Sequence, residues 1–324
     1  MTGVSVAMAT YNGARFLAPQ LDSIRLQSQP PAELVASDDG SSDDTVRILR
    51  DFADSVDFSV RILKQQSRLG VAANFARAFD SCQEEIVVPS DQDDVWHTEK
   101  LALLTQPFAS PEVMLTFSDL LIGDSAAIPV GRTQWQALAF GPARRRAFAE
   151  NAVGFLVGRN VVTGCAMAFR RSLVATSLPI PEGWLHDEWL ALMAAIEGRI
   201  VPVDLPLVTY RQHSEQQVGQ GIHGLRAQMR YARAHLTDDY MRLQVQRSQS
   251  ASQAIARRLQ SPRASDAMRL LDERAAHYRR RVHPNPASIV TDWRRGNYRR
   301  FSYGWKGALQ DSVLRPVDAA LKRW

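Results

Sequence analysis

The sequence has few of the features that mark disulfide-rich, zinc-binding or membrane-spanning proteins. It contains only two cysteines, Cys82 and Cys165, which lie in unrelated contexts without paired spacing, so neither a disulfide framework nor a zinc site is expected. No stretch approaches the roughly 18 to 20 uninterrupted apolar residues that a membrane span needs. The N-terminus also lacks the basic start and the apolar core of a signal peptide. We therefore expect a cytosolic protein whose two thiols are reduced and lie in or near the core.

Acidic residues are scarce in the last hundred positions, which makes the charge uneven. The whole chain of 324 residues carries a formal net charge of +5. Residues 225–324 hold 21 basic and 8 acidic residues, whereas residues 1–224 hold 18 basic and 26 acidic ones. A basic region after an acidic one indicates an anionic partner, such as a membrane surface, a phosphorylated lipid or a nucleic acid.

Strand and helix patterns alternate over the first hundred residues. Short apolar runs predict strands, and the amphipathic stretches between them predict helices. The predicted strands are 4–8, 34–37, 60–63 and 86–89, and the predicted helices are about 15–27, 45–52 and 71–82. This alternation indicates an α/β fold with a Rossmann-like, doubly wound and mostly parallel sheet.

The rest of the chain is less regular. Apolar runs predict strands at 113–117 and 166–169, a helix over 188–196, and a short strand pair or edge strand over 200–207. Residues 123–160 show no clear period. From about residue 224 the chain is rich in Ala, Arg, Gln and Leu, which predicts helices over 225–258 and 263–281. We expect one α/β domain over 1–222 and a helical, basic C-terminal region over 223–324.

Polar segments follow three of the predicted strands. They are Thr10-Tyr11-Asn12, Asp38-Asp39-Gly40-Ser41 and Asp91-Gln92-Asp93-Asp94. Parallel strands bring such segments to one edge of the sheet, where open α/β folds bind ligands. The chain has no glycine-rich dinucleotide fingerprint after the first strand and no Walker-type loop. A diphosphate bound at this edge would therefore need a metal to neutralise it.

The third segment places three carboxylates within four residues. Carboxylates this crowded repel one another unless a cation compensates, and Mg²⁺ and Mn²⁺ prefer oxygen ligands. The alternative is a polar turn in which an Asp caps the helix that follows. Both interpretations remain open on this segment alone.

Together these segments resemble the family 2 glycosyltransferases, which have the GT-A fold. The resemblance rests on Ala9–Gly13, Ser37–Asp43 and Asp91–Trp96, in that order and each at a strand end, and covers roughly residues 3–220. Val162–Arg171 and Leu185–Leu190 resemble the bacterial rhamnosyltransferase-like branch, which builds surface polysaccharides. The resemblance implies a nucleotide-sugar half over about 1–100 and an acceptor half over about 101–222.

The resemblance also implies where the nucleoside of the donor would bind. Thr10, Tyr11 and Asn12 would border the nucleobase, with Tyr11 stacking on it or beside it. Asp39 would accept hydrogen bonds from the base imide or the ribose. Asp38 is the alternative for that role.

The diphosphate and its metal, Mg²⁺ or Mn²⁺, would bind next to the nucleoside. The resemblance implies Asp93 as a metal ligand, with Asp91 toward the ribose or the metal shell. Arg68 would contact the base or the diphosphate, which suits a planar cation with five donors. Arg211 and His213 would lie in a mobile loop over the donor, with His213 able to reach the metal or the phosphates. The alternative for His213 is a solvated loop residue.

On the acceptor side, inverting transfer needs a carboxylate to take the proton from the attacking hydroxyl. The resemblance implies Asp187 for this role, although an Asp there could instead cap a helix. The branch often has an aromatic residue after this Asp, whereas this chain has Glu188. Gly164 would let the backbone approach the sugar. Trp184 and Trp189 could stack on sugar faces or pack in the core.

The end of the chain, residues 293–324, interleaves Arg and Lys with aromatic residues, as interfacial membrane segments do. We predict contact with an anionic membrane surface on the inner face of the plasma membrane. The alternatives are nucleic acid, which we do not favour, and packing on the catalytic domain or on a second subunit in a homo-oligomer.

The resemblance thus implies a metal-dependent, inverting glycosyltransferase of cell-surface glycan synthesis, such as lipopolysaccharide synthesis. The donor would be a nucleotide diphosphate sugar, with rhamnose a candidate, and the acceptor a lipid-linked or polysaccharide chain. One alternative is a sugar-phosphate nucleotidyltransferase, which would be expected to carry a glycine-rich, basic first loop. Another is a non-catalytic scaffold that binds nucleotide sugars.

Overall fold

The alternation predicted for the first hundred residues is present in the structure, a computed structural model that describes residues 3–213, 237–302 and 304–314. Its strands are β1 (Val4–Thr10), β2 (Glu33–Asp38), β3 (Ser59–Lys64), β4 (Ile86–Ser90) and β5 (Val95–Trp96), and its helices are α1 (Ala14–Arg25), α2 (Thr45–Ala53) and α3 (Val71–Ser81). β1 pairs in parallel with β2 and β4, and β2 pairs in parallel with β3.

The composition of these strands reflects burial on both faces of the sheet. Every residue of β2 and β4 is buried, which explains their nearly continuous apolar runs. Helix α1 packs its apolar side, which includes Leu17 and Ile24, into the core. Because β1 has β2 on one side and β4 on the other, the strand order reverses there and leaves a crevice beyond the carboxyl end of β1.

The second half of the sheet is mixed. Residues 100–211 form α4 (Lys100–Thr105), β6 (Val113–Gly123), β7 (Pro129–Thr133), α5 (Gln134–Ala137), α6 (Pro142–Glu150), α7 (Ala152–Gly158), β8 (Met167–Arg170), α8 (Leu173–Ser177), α9 (His186–Glu197) and β9 (Arg199–Arg211). The strand order is β3-β2-β1-β4-β8-β6-β9-β5, with β7 paired to β6. β8 runs antiparallel to β4 and β6, whereas β6 and β9 are parallel.

Two expectations for this half need correction or completion. The prediction of a short strand pair or edge strand over 200–207 was wrong: β9 is one strand of 13 residues that pairs with β6 and β5. Residues 123–160, for which we predicted no element, form β7 and three short helices. Helices of four to nine residues give too few turns for a clear apolar period.

The described part of the C-terminal region is helical, as predicted. Its helices are α10 (Asp238–Arg258), α11 (Pro262–Val282), α12 (Pro286–Arg294), α13 (Asn297–Phe301) and α14 (Trp305–Leu309), followed by a π turn (Gln310–Leu314). The predicted helix start at residue 225 lies outside the described residues. Within the described ranges, no helix is both long and apolar enough to cross a bilayer.

The described residues form two compact units. The first comprises 3–152, 161–180 and 184–213, and the second comprises 153–160, 181–183, 237–302 and 304–314. In the second unit Arg281 and Asp311 form a buried ion pair with Nε and Oδ2 2.6 Å apart. The predicted boundary at residue 222 lies outside the described residues.

Candidate active site

A cavity of 370 Å³ lies in the first unit, where β1, β2 and β4 end. From the first hundred residues, the lining includes Ala9, Thr10, Tyr11, Asn12, Phe16, Asp39, Val71, Asn74, Phe75, Asp91, Gln92 and Asp93. From later in the chain, it includes Thr163, Gly164, Leu185, His186, Asp187, Tyr210 and His213. All three polar segments singled out in the sequence therefore contribute to one cavity, as does the predicted base.

The segment after β1 is held by its neighbours. Asn12 adopts the left-handed conformation with φ of 47°, and its side-chain oxygen accepts a hydrogen bond from the Ser42 amide at 2.9 Å. The Gln92 side chain accepts from the Tyr11 amide at 2.8 Å and donates to the Tyr11 carbonyl at 3.1 Å. This double contact fixes Tyr11 against the segment that follows β4.

Asp38 and Asp39 have different roles in the structure. Asp38 is fully buried and accepts hydrogen bonds from Thr10 Oγ1 at 2.9 Å and from the backbone and side chain of Ser41, so it stabilises the turn and does not line the cavity. Asp39 lines the cavity, and its two oxygens accept from the amides of Leu69 at 2.6 Å and Gly70 at 2.9 Å. Of the two, only Asp39 faces the space where a nucleoside could bind.

Arg68 lies at the rim of the same region. Its guanidinium carbon is 4.1 Å from the centroid of the Tyr11 ring, and its Nε is 3.9 Å from Asp39 Oδ2. The side chain is half-exposed. A cation stacked on Tyr11 occupies one aromatic face and is placed to meet an anionic or planar ligand.

The acidic loop, defined as residues 91–94, connects β4 to β5 and directs its three carboxylates to different places. Asp91 and Asp93 line the cavity, whereas Asp94 is fully buried and accepts a hydrogen bond from the Arg211 amide at 3.1 Å. Burial, together with the charges of Asp94 and Asp93, raises the pKa of Asp91 well above its usual range. Asp94 is not the cap of the next helix, because Glu99 precedes α4.

One group near this loop could hold a metal. Asp91, Asp94 and Cys165 offer ligand atoms that all lie within 4.8 Å of one another. Burial and the neighbouring carboxylates raise the pKa of the Cys165 thiol, which keeps it protonated. A protonated thiol is a poor ligand for Mg²⁺ or Mn²⁺, which prefer oxygen.

A second arrangement suits these hard cations better. Asp93 Oδ2 and His213 Nε2 are 2.8 Å apart and both residues line the cavity, beside Asp91. The two atoms share a hydrogen bond, and both side chains would be able to hold a divalent cation in its place, the carboxylate through oxygen and the imidazole through nitrogen. Asp93 and His213, 120 positions apart in the sequence, are thus brought together.

Arg211 was predicted to lie in a loop over the donor, but it is the last residue of β9. It is buried, and its guanidinium donates to the carbonyl oxygens of Asp93 at 2.6 Å and Ser125 at 2.9 Å. It is not among the residues that line the cavity. Arg211 therefore holds the backbone of the acidic loop against β9, while the predicted loop beyond residue 213 lies outside the described residues.

Asp187 lies in the first turn of α9 and lines the cavity. Its carboxylate accepts hydrogen bonds from the Gly164 amide at 3.2 Å and the Glu188 amide at 2.7 Å. Burial, with a smaller contribution from the charge of Glu188, raises the pKa of Asp187 to about 7. A carboxylate with such a pKa can accept a proton near neutral pH.

The remaining acceptor-side residues divide between cavity and core. Gly164 lines the cavity, whereas Glu188, Trp184 and Trp189 do not. Trp189 is fully buried and donates its indole N–H to the Ser177 carbonyl at 2.7 Å, and its ring meets that of Trp184 edge-on. Both tryptophans therefore pack in the core, the alternative considered from the sequence.

The model of glycosyl transferase family 2 matches residues 5–176, which is more than half of the chain. The chain belongs to glycosyl transferase family 2. An uncharacterised glycosyltransferase of Nostoc sp. is 26% identical over 215 residues, which cover 65% of this chain and 65% of that protein. A dTDP-rhamnosyl transferase of Shigella flexneri is 27% identical over 223 residues, which cover 66% of this chain and 74% of that protein.

A solved structure shares the fold of this glycosyltransferase. It is a mannosyltransferase from Pyrobaculum calidifontis in complex with GDP-Man and Mn²⁺, with a TM-score of 0.52 and 19% identity over 98% of this chain and 88% of that one. The predicted GT-A fold is thereby confirmed. The alignment with the Nostoc protein spans just under two thirds of that relative's length.

Several residues of the glycosyltransferase cavity were not singled out in the sequence. Asn74 donates to the carbonyl oxygens of Ser37 at 2.9 Å and Thr10 at 3.3 Å, which ties the ends of β2 and β1 to α3. Gln92 and His186 also line the cavity. His186 and Gln92 each stand beside an acidic residue that was singled out, and this adjacency is the signal that could have revealed them.

Proposed function

We propose that this protein is an inverting glycosyltransferase that moves a sugar from a nucleotide diphosphate donor to a hydroxyl group of an acceptor. The observation that carries the proposal is the single cavity that Asp39, Asp93 and Asp187 line together. It offers a nucleoside partner, a metal ligand and a base within one space. Membership of glycosyl transferase family 2 supports the same reaction class.

The donor nucleoside lies at the ends of β1 and β2 in this proposal. Tyr11, backed by the Arg68 guanidinium, borders the base, and Asp39 uses its remaining acceptor capacity for the base imide or the ribose. The two backbone amides bound to Asp39 hold its carboxylate in place. Thr10 and Asn12 shape this end of the cavity and keep its turn in position.

Asp93 and His213 would hold Mg²⁺ or Mn²⁺, with Asp91 beside them. The bound cation would neutralise charge that develops on the departing diphosphate. The hydrogen bond from the Arg211 guanidinium to the Asp93 carbonyl oxygen fixes the backbone of this ligand.

Asp187 accepts the proton of the acceptor hydroxyl as that oxygen attacks the anomeric carbon. The attacking oxygen and the leaving phosphate lie on opposite sides of that carbon, so a single displacement inverts its configuration. Asp187 lines the same cavity as Asp91 and Asp93 of the acidic loop, so the base and the metal ligands are available to one bound donor and acceptor. The amides of Gly164 and Glu188 orient the carboxylate.

The choice of donor sugar and acceptor rests on sequence similarity and not on contacts in the cavity. The segments 162–171 and 185–190 resemble the rhamnosyltransferase-like branch, and the relative from Shigella flexneri is named a dTDP-rhamnosyl transferase. We therefore take dTDP-rhamnose as the first donor to test. A lipid-linked or polysaccharide acceptor in cell-surface glycan synthesis is the matching acceptor class.

Donor binding and turnover separate the roles of Asp93 and Asp187. With Mn²⁺ present, Asp93→Asn should weaken donor binding in calorimetry, whereas Asp187→Asn should bind the donor normally and lose about 10²- to 10⁴-fold in turnover. Glu112→Gln, an exposed acid at the start of β6, is the matched control. Retained turnover in Asp187→Asn would exclude it as the base.

The released product separates the alternative functions. A glycosyltransferase releases a nucleoside diphosphate, whereas a sugar-phosphate nucleotidyltransferase forms or consumes pyrophosphate. A non-catalytic scaffold would bind the nucleotide sugar and release neither. Pyrophosphate as the product would replace the proposed reaction with the nucleotidyltransferase one.

We also propose that the second unit contacts an anionic membrane surface. Trp293 and Trp305 are 52% and 62% exposed, and the exposed cations Arg294, Arg295 and Lys306 are their chain neighbours. Aromatic residues beside cations favour the lipid interface. The rest of the predicted interface, from residue 315 onward, lies outside the described residues.

Vesicles of defined composition test the membrane contact. Replacing Trp293 and Trp305 with alanine should reduce binding to vesicles that contain phosphatidylserine, and high salt should reduce it further. Leu205→Ala is the control and should have no effect, because Leu205 is an apolar residue of the first unit that is 48% exposed. If the native protein, the double tryptophan variant and the control bind the vesicles equally, the tryptophans are not part of the membrane contact.

A further inference from the structure

His186 presents a buried polar group that its surroundings do not explain. It is the first residue of α9, directly before Asp187, and only 6% of its surface is exposed. Neither Nδ1 nor Nε2 has a hydrogen-bond partner within the described residues. Most buried polar atoms in proteins are hydrogen-bonded, so two unpartnered nitrogens on one ring call for an explanation.

Packing explains the ring of His186 but not its nitrogens. The ring stacks on Phe75 with centroids 3.9 Å apart and an interplanar angle of 29°, and Phe79 lies 5.9 Å away. A phenylalanine would fill such an aromatic site without the cost of burying unpaired polar atoms. The structure thus keeps an imidazole where an apolar ring would favour folding.

The edge of the ring that carries Nε2 faces Gly164. A Cβ atom at residue 164 would lie 2.5 Å from Nε2, so only glycine leaves room for the ring in this position. Gly164 also donates its amide to the Asp187 carboxylate, and all three residues line the cavity. The imidazole edge and the proposed base are therefore neighbours on the same wall.

Burial lowers the pKa of His186 to about 3, so the ring is neutral at physiological pH. A neutral imidazole offers one N–H donor and one lone pair. A sugar hydroxyl can accept a hydrogen bond from the N–H or donate one to the lone pair, so either nitrogen offers it one hydrogen bond. A neutral ring also leaves the charge of Asp187 uncompensated, which preserves its basicity.

We propose that His186 is a sugar-binding residue whose ring hydrogen-bonds a sugar hydroxyl next to the Asp187 carboxylate. The inference rests on the proposed function and adds a determinant of sugar recognition to it. The hydroxyl belongs either to the donor sugar or to the acceptor. Loss of the hydrogen bond would weaken donor binding in the first case and transfer to the acceptor in the second.

The native protein is tested first, with Mn²⁺ and a panel of UDP-glucose, GDP-mannose and dTDP-rhamnose. The sugar nucleotide that most raises the melting temperature is then used with its matching nucleoside diphosphate. If no member of the panel binds, the proposed function fails before His186 is tested. The two failures are therefore distinguishable.

His186→Phe removes both nitrogens and keeps an aromatic ring on Phe75. We expect its unfolding midpoint to equal or exceed that of the native protein, and its affinity for the nucleoside diphosphate to be unchanged. If the hydroxyl is on the donor, affinity for the sugar nucleotide should fall by about 10- to 100-fold. If it is on the acceptor, donor binding and slow donor hydrolysis should persist, while transfer to the best of a set of octyl glycosides falls by a similar factor.

A second pair of variants decides the matter if the larger phenylalanine ring does not fold against Gly164. His186→Asn keeps a donor and an acceptor, whereas His186→Leu keeps neither, and the first should retain more sugar affinity or more transfer than the second. Equal values for these two variants, or values within twofold of native for His186→Phe, would overturn the proposal and leave His186 as a packing residue. Glu112→Gln is again the unaffected control.

Discussion

The raised pKa of Asp187 makes a quantitative prediction about the pH dependence of transfer. Burial and the charge of Glu188 move this pKa from an ordinary 3.8 to about 7. The carboxylate must be deprotonated to accept a proton from the acceptor hydroxyl. The rate should therefore rise with pH through the neutral range.

The size of the rise follows from the titration. A group with a pKa of about 7 is about one tenth deprotonated at pH 6 and about nine tenths at pH 8, so kcat/KM should increase about tenfold between these values. A carboxylate with the ordinary pKa of 3.8 would be almost fully deprotonated at both pH values. Its profile would be flat over the same range.

Glu188→Gln tests the cause of the shift as well as its size. Removing the neighbouring negative charge should lower the pKa of Asp187 and move the rising limb of the profile to lower pH. The carboxylate should still titrate above its ordinary value, because burial is the larger cause. Glu112→Gln, far from the cavity lining, should leave the limb where it is.

The assay must separate Asp187 from the acidic loop, since burial also raises the pKa of Asp94 to about 7. We would therefore measure kcat/KM for the acceptor at saturating donor, with Mn²⁺ raised at each pH until the rate no longer changes. A flat profile from pH 6 to 8 under these conditions would refute the assignment of Asp187 as a base of raised pKa. A limb that Glu188→Gln does not move would refute the electrostatic contribution.

Two further predictions concern packing in each unit. Gly164→Ala should reduce transfer at least tenfold and leave the affinity for the nucleoside diphosphate unchanged, because the new Cβ displaces the His186 ring. Gly141→Ala is the control: a Cβ at residue 141 meets nothing within 4 Å, so the transfer rate should not change. Asp311→Asn should lower the free energy of unfolding in urea by about 3–5 kcal/mol, because it removes the buried carboxylate that pairs with Arg281. A loss of about 1 kcal/mol or less, typical of a surface ion pair, would contradict that account.

The positions of the strand ends could be predicted because burial on both faces produces a strong local signal. β2 and β4 are buried throughout, so their apolar runs stop where the chain reaches the sheet edge and polar residues begin. The choice between Asp38 and Asp39 could not be made in the same way. Asp38 is the last residue of β2 and Asp39 the first beyond it, and their different positions are set by their partners, Ser41 for Asp38 and the amides of Leu69 and Gly70 for Asp39.

The roles of the aromatic residues depended on contacts that are distant in the sequence. Trp189 is buried, and its indole N–H donates to the carbonyl of Ser177 in α8, a partner that no local pattern indicates. The position of the His186 ring could not be predicted from local sequence patterns either, because it depends on stacking with Phe75 in α3 and on the absence of a side chain at Gly164. Sequence patterns locate strand ends, whereas the environment of a side chain is set by elements that meet only in the fold.

The buried basic side chains around the acidic loop bear on the proposed metal site. Lys100 Nζ donates to the carbonyl of Cys165 at 2.6 Å, and the guanidinium of Arg211 donates to the carbonyls of Asp93 and Ser125. These hydrogen bonds fix backbone around the loop and leave the cavity-lining oxygens of Asp91 and Asp93 available to a ligand. A diphosphate would add further negative charge to this wall. In the proposed function, a divalent cation between carboxylates and phosphates would offset both repulsions, and its two charges would do so more fully than the single charge of an arginine or lysine directed into the cavity.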